Sequence, residues 1–242
     1  MKKNFFSLLA VMLMALTANA QHEYVDLGLP SGTLWATCNI GANSPEETGD
    51  LFAWGETETK SEYTEENYSF NLNTYDPVEV LTPAYDAATY NWDNDWQMPS
   101  PEQCTELAHG EYTTIEVTIL NGVKVAKVTS KSNGNSIFLP NGDYWTNSLH
   151  WDGSFSFDTD IAYALFVSSS HISVSSDYRY EGYLIRPVRT QYTISNIPNN
   201  WKVNGTKVTN GTYEATPGAE VIFTPKNIPA GKKIKSIKAV KK

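Results

Sequence analysis

The sequence predicts an α+β domain with a mostly antiparallel sheet and two short helices, followed by a small all-β unit. Three observations carry this reading. Runs rich in β-branched and aromatic residues alternate with turn signals, above all Asn121-Gly122 between two eight-residue runs; a two-residue type I′ turn needs positive φ at both centres, which Asn-Gly supplies. One strong helix start stands at residues 100–103. Ser100 can cap with its hydroxyl, Pro101 sits where a missing N–H costs nothing, and Gln103 completes a capping box. The charge also changes sign near residue 190. Residues 21–190 hold 7 Lys and Arg against 25 Asp and Glu, a net of −18, whereas residues 191–242 hold 9 Lys against 2 Glu, a net of +7. A shift of that size marks a domain boundary.

Residues 1–20 read as a secretory signal: Lys2 and Lys3, an apolar run from Phe5 to Leu16, then Ala18-Asn19-Ala20 before Gln21. That run is too short to span a bilayer, and no other stretch approaches the ~20 apolar residues a transmembrane helix needs. The expectation is a soluble, exported protein in the periplasm, at the outer cell surface or outside the cell. Its domains are a body at 21–190 and a small β-sandwich-like module at 191–242. Cys38 and Cys104 stand either as one disulfide or as two buried thiols. The basic end is either a solvated Lys-rich face or a docking surface for the acidic body or an anionic cell surface. Nucleic acid is excluded by the export signal and the overall negative charge.

Taken in order, residues 23–29 alternate, with Tyr24, Asp26 and Gly28 opposite Val25, Leu27 and Leu29, as in a half-buried strand. Pro30-Ser31-Gly32 turns the chain into a second strand over 33–38, and 50–55 (DLFAWG) reads as a short apolar strand. Residues 56–81 are acidic, rich in Tyr and Asn, and aperiodic, which predicts a loop of about 25 residues, either functional or a tolerated insertion. Thr82-Pro83 opens the first helix, with Ala84, Ala87 and Ala88 on one side. The second starts at Pro101, puts Cys104, Leu107 and Ala108 on one face, and has Gly110 placed to end it. Further strands follow at 113–120, 123–130, 136–139, 143–149, 161–168, 171–175 and 182–189, then in the module at 191–195, 201–203, 211–215, 220–224 and 234–240. A module of about 50 residues without disulfides has a thin core, so it is expected to dock on the body.

Several blocks in the body form an ordered set: YVDLGLPSGTLWATCNIGA (24–42), GDLFAWGET (49–57), DAATYNWDNDWQMPS (86–100), NGNSIFLP (133–140), DYWTNS (143–148) and GYLIRPV (182–188). Together they resemble the Fibrobacter succinogenes major paralogous domain family of exported proteins, over nearly all of residues 23–189. That family is similar in its helix-then-sheet core to C-type lectin-like domains and formylglycine-generating enzymes. The resemblance therefore implies a C-type lectin-like body, carried by the W-x-M-P-[ST] and G-x-x-x-R-P-V blocks. The chain departs from the family in bringing Pro140 almost next to Tyr144, where members carry a longer segment. The basic module lies outside the match and resembles small β modules at the ends of exported proteins from related bacteria.

Catalytic motifs are not found. The histidines His22, His109, His150 and His171 are scattered, and no G-x-S-x-G, H-E-x-x-H, Walker or dinucleotide pattern occurs, so the sequence predicts no enzyme. No cysteine pair matches the oxidative pair of formylglycine-generating enzymes. Cofactors are expected to be none, with one exception: Asp93, Asn94 and Asp95, with Asp158 and Asp160, offer the hard oxygens that calcium takes. Trp92-Asp93-Asn94-Asp95 resembles the W-N-D calcium and sugar element of C-type lectins, but it precedes the helix and lacks an E-P-N partner; the alternative is a plain turn. Trp35, Trp54, Trp96 and Trp145 are expected in the core. Trp92, Trp151, Tyr178 and Tyr180 lie in polar stretches, are expected to be exposed, and are the ligand-binding candidates. Exposed rings beside Asp and Asn can stack on sugars or anchor a protein partner. The sequence thus points to a non-catalytic module binding a glycan or cell-surface protein, with an assembly component of a surface complex as the alternative and a degenerate formylglycine-generating-type enzyme as the third reading.

Overall fold

The computed structural model describes residues 22–151, 153 and 157–190, and in the C-terminal segment 192–195, 197, 201–203, 205–208, 211, 213–215, 223–224 and 238–241. The secretory signal at 1–20 lies outside the described residues. The body is mostly antiparallel sheet with two short α-helices. Its elements are β1 (Tyr24–Asp26), β2 (Thr33–Ala36), α1 (Ala87–Asn91), α2 (Pro101–Ala108), β3 (Thr113–Leu120), β4 (Val123–Ser130), β5 (Ser136–Pro140), β6 (Gly142–Trp151), β7 (Phe157–Ser168), β8 (His171–Tyr178) and β9 (Val188–Thr190). They pair as three three-stranded sheets, β1-β2-β9, β3-β4-β5 and β6-β7-β8. The last strand of the body therefore lies against one of the first, with Trp35 opposite Val188.

The β6-β7-β8 sheet is buried on both faces, and its period of two sorts its side chains into two cores. Tyr144, Leu165, Val167 and Ile172 face a cluster that also takes Leu27, Trp35, Cys104, Leu107, Val128 and Leu139. Trp145, Leu149, Ala162 and Ala164 face the other, with Phe52, Trp54, Ala88, Met98 and Ile185. Helix α2 lies on the first of these faces. As expected, Ser100 Oγ accepts from Gln103 N and Gln103 Oε1 accepts from Ser100 N, closing the capping box. The β3-β4 hairpin has the expected register, Leu120 opposite Val123, with φ of 48° at Asn121 and 85° at Gly122. Trp35, Trp54, Trp96 and Trp145 are all buried.

The structure corrects several expectations. Helix α1 starts at Ala87, not at Thr82-Pro83, because Asp86 is the stronger cap: its Oδ1 accepts from Ala88 N and Thr89 N. Its Oδ2 accepts from Met98 N, tying the helix to the turn that follows. Gly110 does not end α2; the cap residue is the extended His109. Residues 50–55 and 182–187 are not regular strands. They meet at a single bridge, Phe52 with Tyr183, because bonds to different partners take over on either side. Both cysteines are free thiols, Cys104 buried and Cys38 only partly so.

Beyond Thr190, short strands pair among themselves as 192–195 with 213–215 and 238–241, and as 202–203 with 206–207 and 223–224. Ile194, Ile197, Trp201, Val203 and Val208 form a cluster of their own. The expected strands at 220–224 and 234–240 lie partly outside the described residues. Among the described residues no helix is long and apolar enough to cross a membrane.

One glycine shows how tightly the 40–50 turn is wound. Gly49 has φ +75°, and a Cβ there would lie 2.1 Å from the Ile40 carbonyl oxygen, which also accepts from Asp50 N. Gly49→Ala is expected to cost about 2 kcal/mol, read as a lower urea midpoint at unchanged slope. An unchanged midpoint would show that this turn relaxes without cost.

Candidate functional site

The long loop at 56–81 is irregular, as expected, with one 3₁₀ turn at Glu65–Asn67, but it is firmly attached. Lys60 pairs with Glu56 at 2.6 Å and donates to the Asn67 carbonyl at 2.6 Å. Tyr68 donates its hydroxyl to the Trp54 carbonyl, and the Tyr63 ring lies against Gly182, where a Cβ would collide with it. The main anchor is Arg179, which is fully buried. It donates to the carbonyls of Asp76 (2.6 Å) and Asn71 (2.9 Å) and lies within cation–π range of Trp54 and Tyr68, 5.7 and 5.5 Å from the ring centroids. Burial pulls its pKa down, opposed by Tyr68, Asp160 and Asp76; the guanidinium stays charged.

Arg179 sits just past the end of β8, with its N–H on the Asp160 carbonyl. Alternation turns its neighbours the other way: Tyr178 is 47% exposed and Tyr180 half-buried. Their rings stack in parallel, with centroids 5.3 Å apart and planes 11° from parallel. This pair forms one wall of a cleft of about 390 Å³ between the 56–81 loop and the end of the β6-β7-β8 sheet. The other walls are Glu65, Leu72, Asn73, Thr159 and Asp160. The volume lies in the lower part of the ~300–1,000 Å³ range of small-ligand sites. Among the described residues no basic side chain lines it. The Tyr180 hydroxyl is pushed above its usual pKa, first by burial and then by surrounding groups that include Glu181, Glu65 and Asp177. Tyr183 donates to Asp177, and burial together with that bond pushes its pKa up as well.

Of the four aromatic candidates, the structure brings together Tyr178 and Tyr180. Trp92 is not exposed as expected: it is half-buried against the second core, stacks on His22 at 3.6 Å and meets Trp96 edge-on. Trp151 is 39% exposed at the end of β6, edge-on to Phe157, and does not line the cleft. The oxygen-bearing candidates are dispersed. Asp93 Oδ1 accepts from Asp95 N, Asp95 pairs with Arg189 at 2.9 Å, and Asp158 pairs with His150 at 2.6 Å, while Asp160 lines the cleft. Asn94 is exposed beside them. Among the described residues no three His, Cys, Asp or Glu side chains are grouped to hold a metal ion.

Sequence reasoning missed Glu65, Leu72, Asn73, Thr159 and the anchoring Arg179. The available signal was the acidic, amide-rich composition of the 56–81 loop, which marks a functional loop without naming its partner. Compared with known protein families, curated proteins and solved structures, the chain matches no family model, no curated protein and no solved structure.

Proposed function

We propose that the protein is an exported, non-catalytic binding module of the bacterial envelope or cell surface, with a C-type lectin-like body, and that it recognises a glycan in the Tyr178–Tyr180 cleft. The observation that carries this is the parallel tyrosine pair set among carboxylate, amide and hydroxyl groups. A pyranose offers a C–H face that stacks on aromatic rings, and equatorial hydroxyls that donate to Glu65 and Asp160 or exchange hydrogen bonds with Asn73 and Thr159. The test is a glycan-array screen followed by titration calorimetry, with and without a calcium chelator. Tyr178→Ala and Tyr180→Ala are each expected to weaken binding about tenfold, the size of a loss near 1.4 kcal/mol. Trp151→Ala is expected to leave it unchanged. A folded protein that retains no glycan, or that binds one equally well without Tyr178, overturns the reading.

A second reading, an assembly component, is favoured by the opposed charges of body and C-terminal segment and by the outer edge of β3. That edge carries no neighbouring strand among the described residues, and Val117 and Ile119 beside it are exposed. It expects concentration-dependent self-association that weakens with salt.

A further inference from the structure

The charges around the cleft bear on which glycan it would take, an inference that rests on the binding reading above. One wall is an aromatic pair, and the negative faces of tyrosine rings attract cations. Its two charged walls, Glu65 and Asp160, have no hydrogen-bonded or ion-paired basic partner among the described residues. Arg179 feels the Asp160 charge but spends its hydrogen bonds inward, on the Asp76 and Asn71 carbonyls, and does not line the cleft. Asp177 and Glu181 flank Tyr180 and add to the negative field. The whole body around it carries a net of −18. Such a field repels uronic and sialic acids and concentrates cations at the mouth of the cleft. The volume exceeds what a lone ammonium group would fill, and Leu72, Asn73 and Thr159 supply an apolar contact and hydroxyl partners along the rest of it.

We propose that the ligand is a glycan bearing free amino groups, a de-N-acetylated hexosamine, with its ammonium over the tyrosine pair facing Glu65 and Asp160 and its ring hydroxyls on Asn73 and Thr159.

The test compares two ligands with one skeleton: glucosamine tetramer and its fully N-acetylated counterpart, titrated into the full-length protein by calorimetry at mildly acidic pH. The free-amine tetramer is expected to bind at least about tenfold more tightly, and the gap to close in ~0.5 M salt. Glu65→Gln is expected to narrow the preference without moving the melting temperature. Asp160→Asn is expected to narrow it too, with a lower melting temperature because the buried Arg179 loses an opposing charge; Tyr178→Ala weakens both ligands. Equal or tighter binding of the N-acetylated tetramer overturns the charge assignment and leaves the glycan reading standing. So does binding only of another, neutral or acidic glycan that needs Tyr178. No binding of any glycan by the folded protein overturns both. Self-association blocked by Asp160→Asn would assign the site to a lysine of a second copy and overturn the amino-sugar ligand.

Discussion

Arg186→Ala is expected to lower the stability of the body by about 4 kcal/mol, because several acceptors lose one charged donor at once. Arg186 is 1% exposed, and among the described residues no carboxylate faces it in a hydrogen bond; it donates to Asn39 Oδ1 (2.7 Å) and to the carbonyls of Ala36 (2.9 Å), Thr37 (2.8 Å) and Phe138 (3.0 Å). Removing the fork takes a charged donor from all four acceptors, at about 1–3 kcal/mol for each that water cannot reach, the Asn39 and Ala36 oxygens being the buried ones, and opens a cavity between β2 and β5. Against a typical total of about 5–15 kcal/mol the loss is large. Arg186→Lys is expected to recover less than half of it, because one ammonium cannot serve acceptors spread around a planar fork. Urea unfolding followed by tryptophan fluorescence checks both. A loss below ~1 kcal/mol for the alanine variant would mean that the network is incidental.

Arg179→Lys separates architecture from binding. Its effect on stability is expected to be about 3 kcal/mol, since a lysine cannot reach both the Asp76 and Asn71 carbonyls while lying against Trp54 and Tyr68. The larger effect falls on the cleft. Glu65, Leu72 and Asn73 reach it from the loop that Arg179 anchors, and Thr159, Asp160, Tyr178 and Tyr180 from the sheet end that carries Arg179. Releasing the loop moves one wall from the other, so binding should fall by about 100-fold although no group lining the cleft has changed. Limited proteolysis should show new cutting within 56–81, with the sheet resistant. Unchanged protease resistance together with unchanged binding would show that the loop is held by Tyr63, Tyr68 and Lys60 alone.

Much of the fold was legible because local chemistry dictates it. The Asn121-Gly122 turn sets the β3-β4 register, and the Ser100–Gln103 box sets the start of α2; each needs only its own few residues. The failures at 50–55, 82–86 and 182–187 share a cause, since each segment takes bonds from partners far away in sequence. Asp86 wins as cap because Met98, twelve residues on, also donates to it. The candidate site was half legible. Tyr178 and Tyr180 declared themselves as aromatic residues in polar surroundings, but Thr159 joins them through the β7-β8 pairing, and Glu65 and Asn73 through the loop that Arg179 anchors, a side chain whose partners carry no sequence signature. Trp92 misled for the same reason: its polar neighbours gave no hint that His22 would cover it.

The three largest buried cations, Arg179, Arg186 and Arg189, all lie within eleven residues at the end of the body, and each reaches back to a segment made much earlier. A chain synthesised from its N-terminus must therefore wait. Until residue 179 has left the ribosome the 56–81 loop lacks its main anchor, and until residue 190 has, β2 lacks its partner on one side and Asp95 its counter-ion. Local pieces such as the β3-β4 hairpin and α2 need only their own residues, but the contacts that join the early segments of the body wait for those eleven residues near its end.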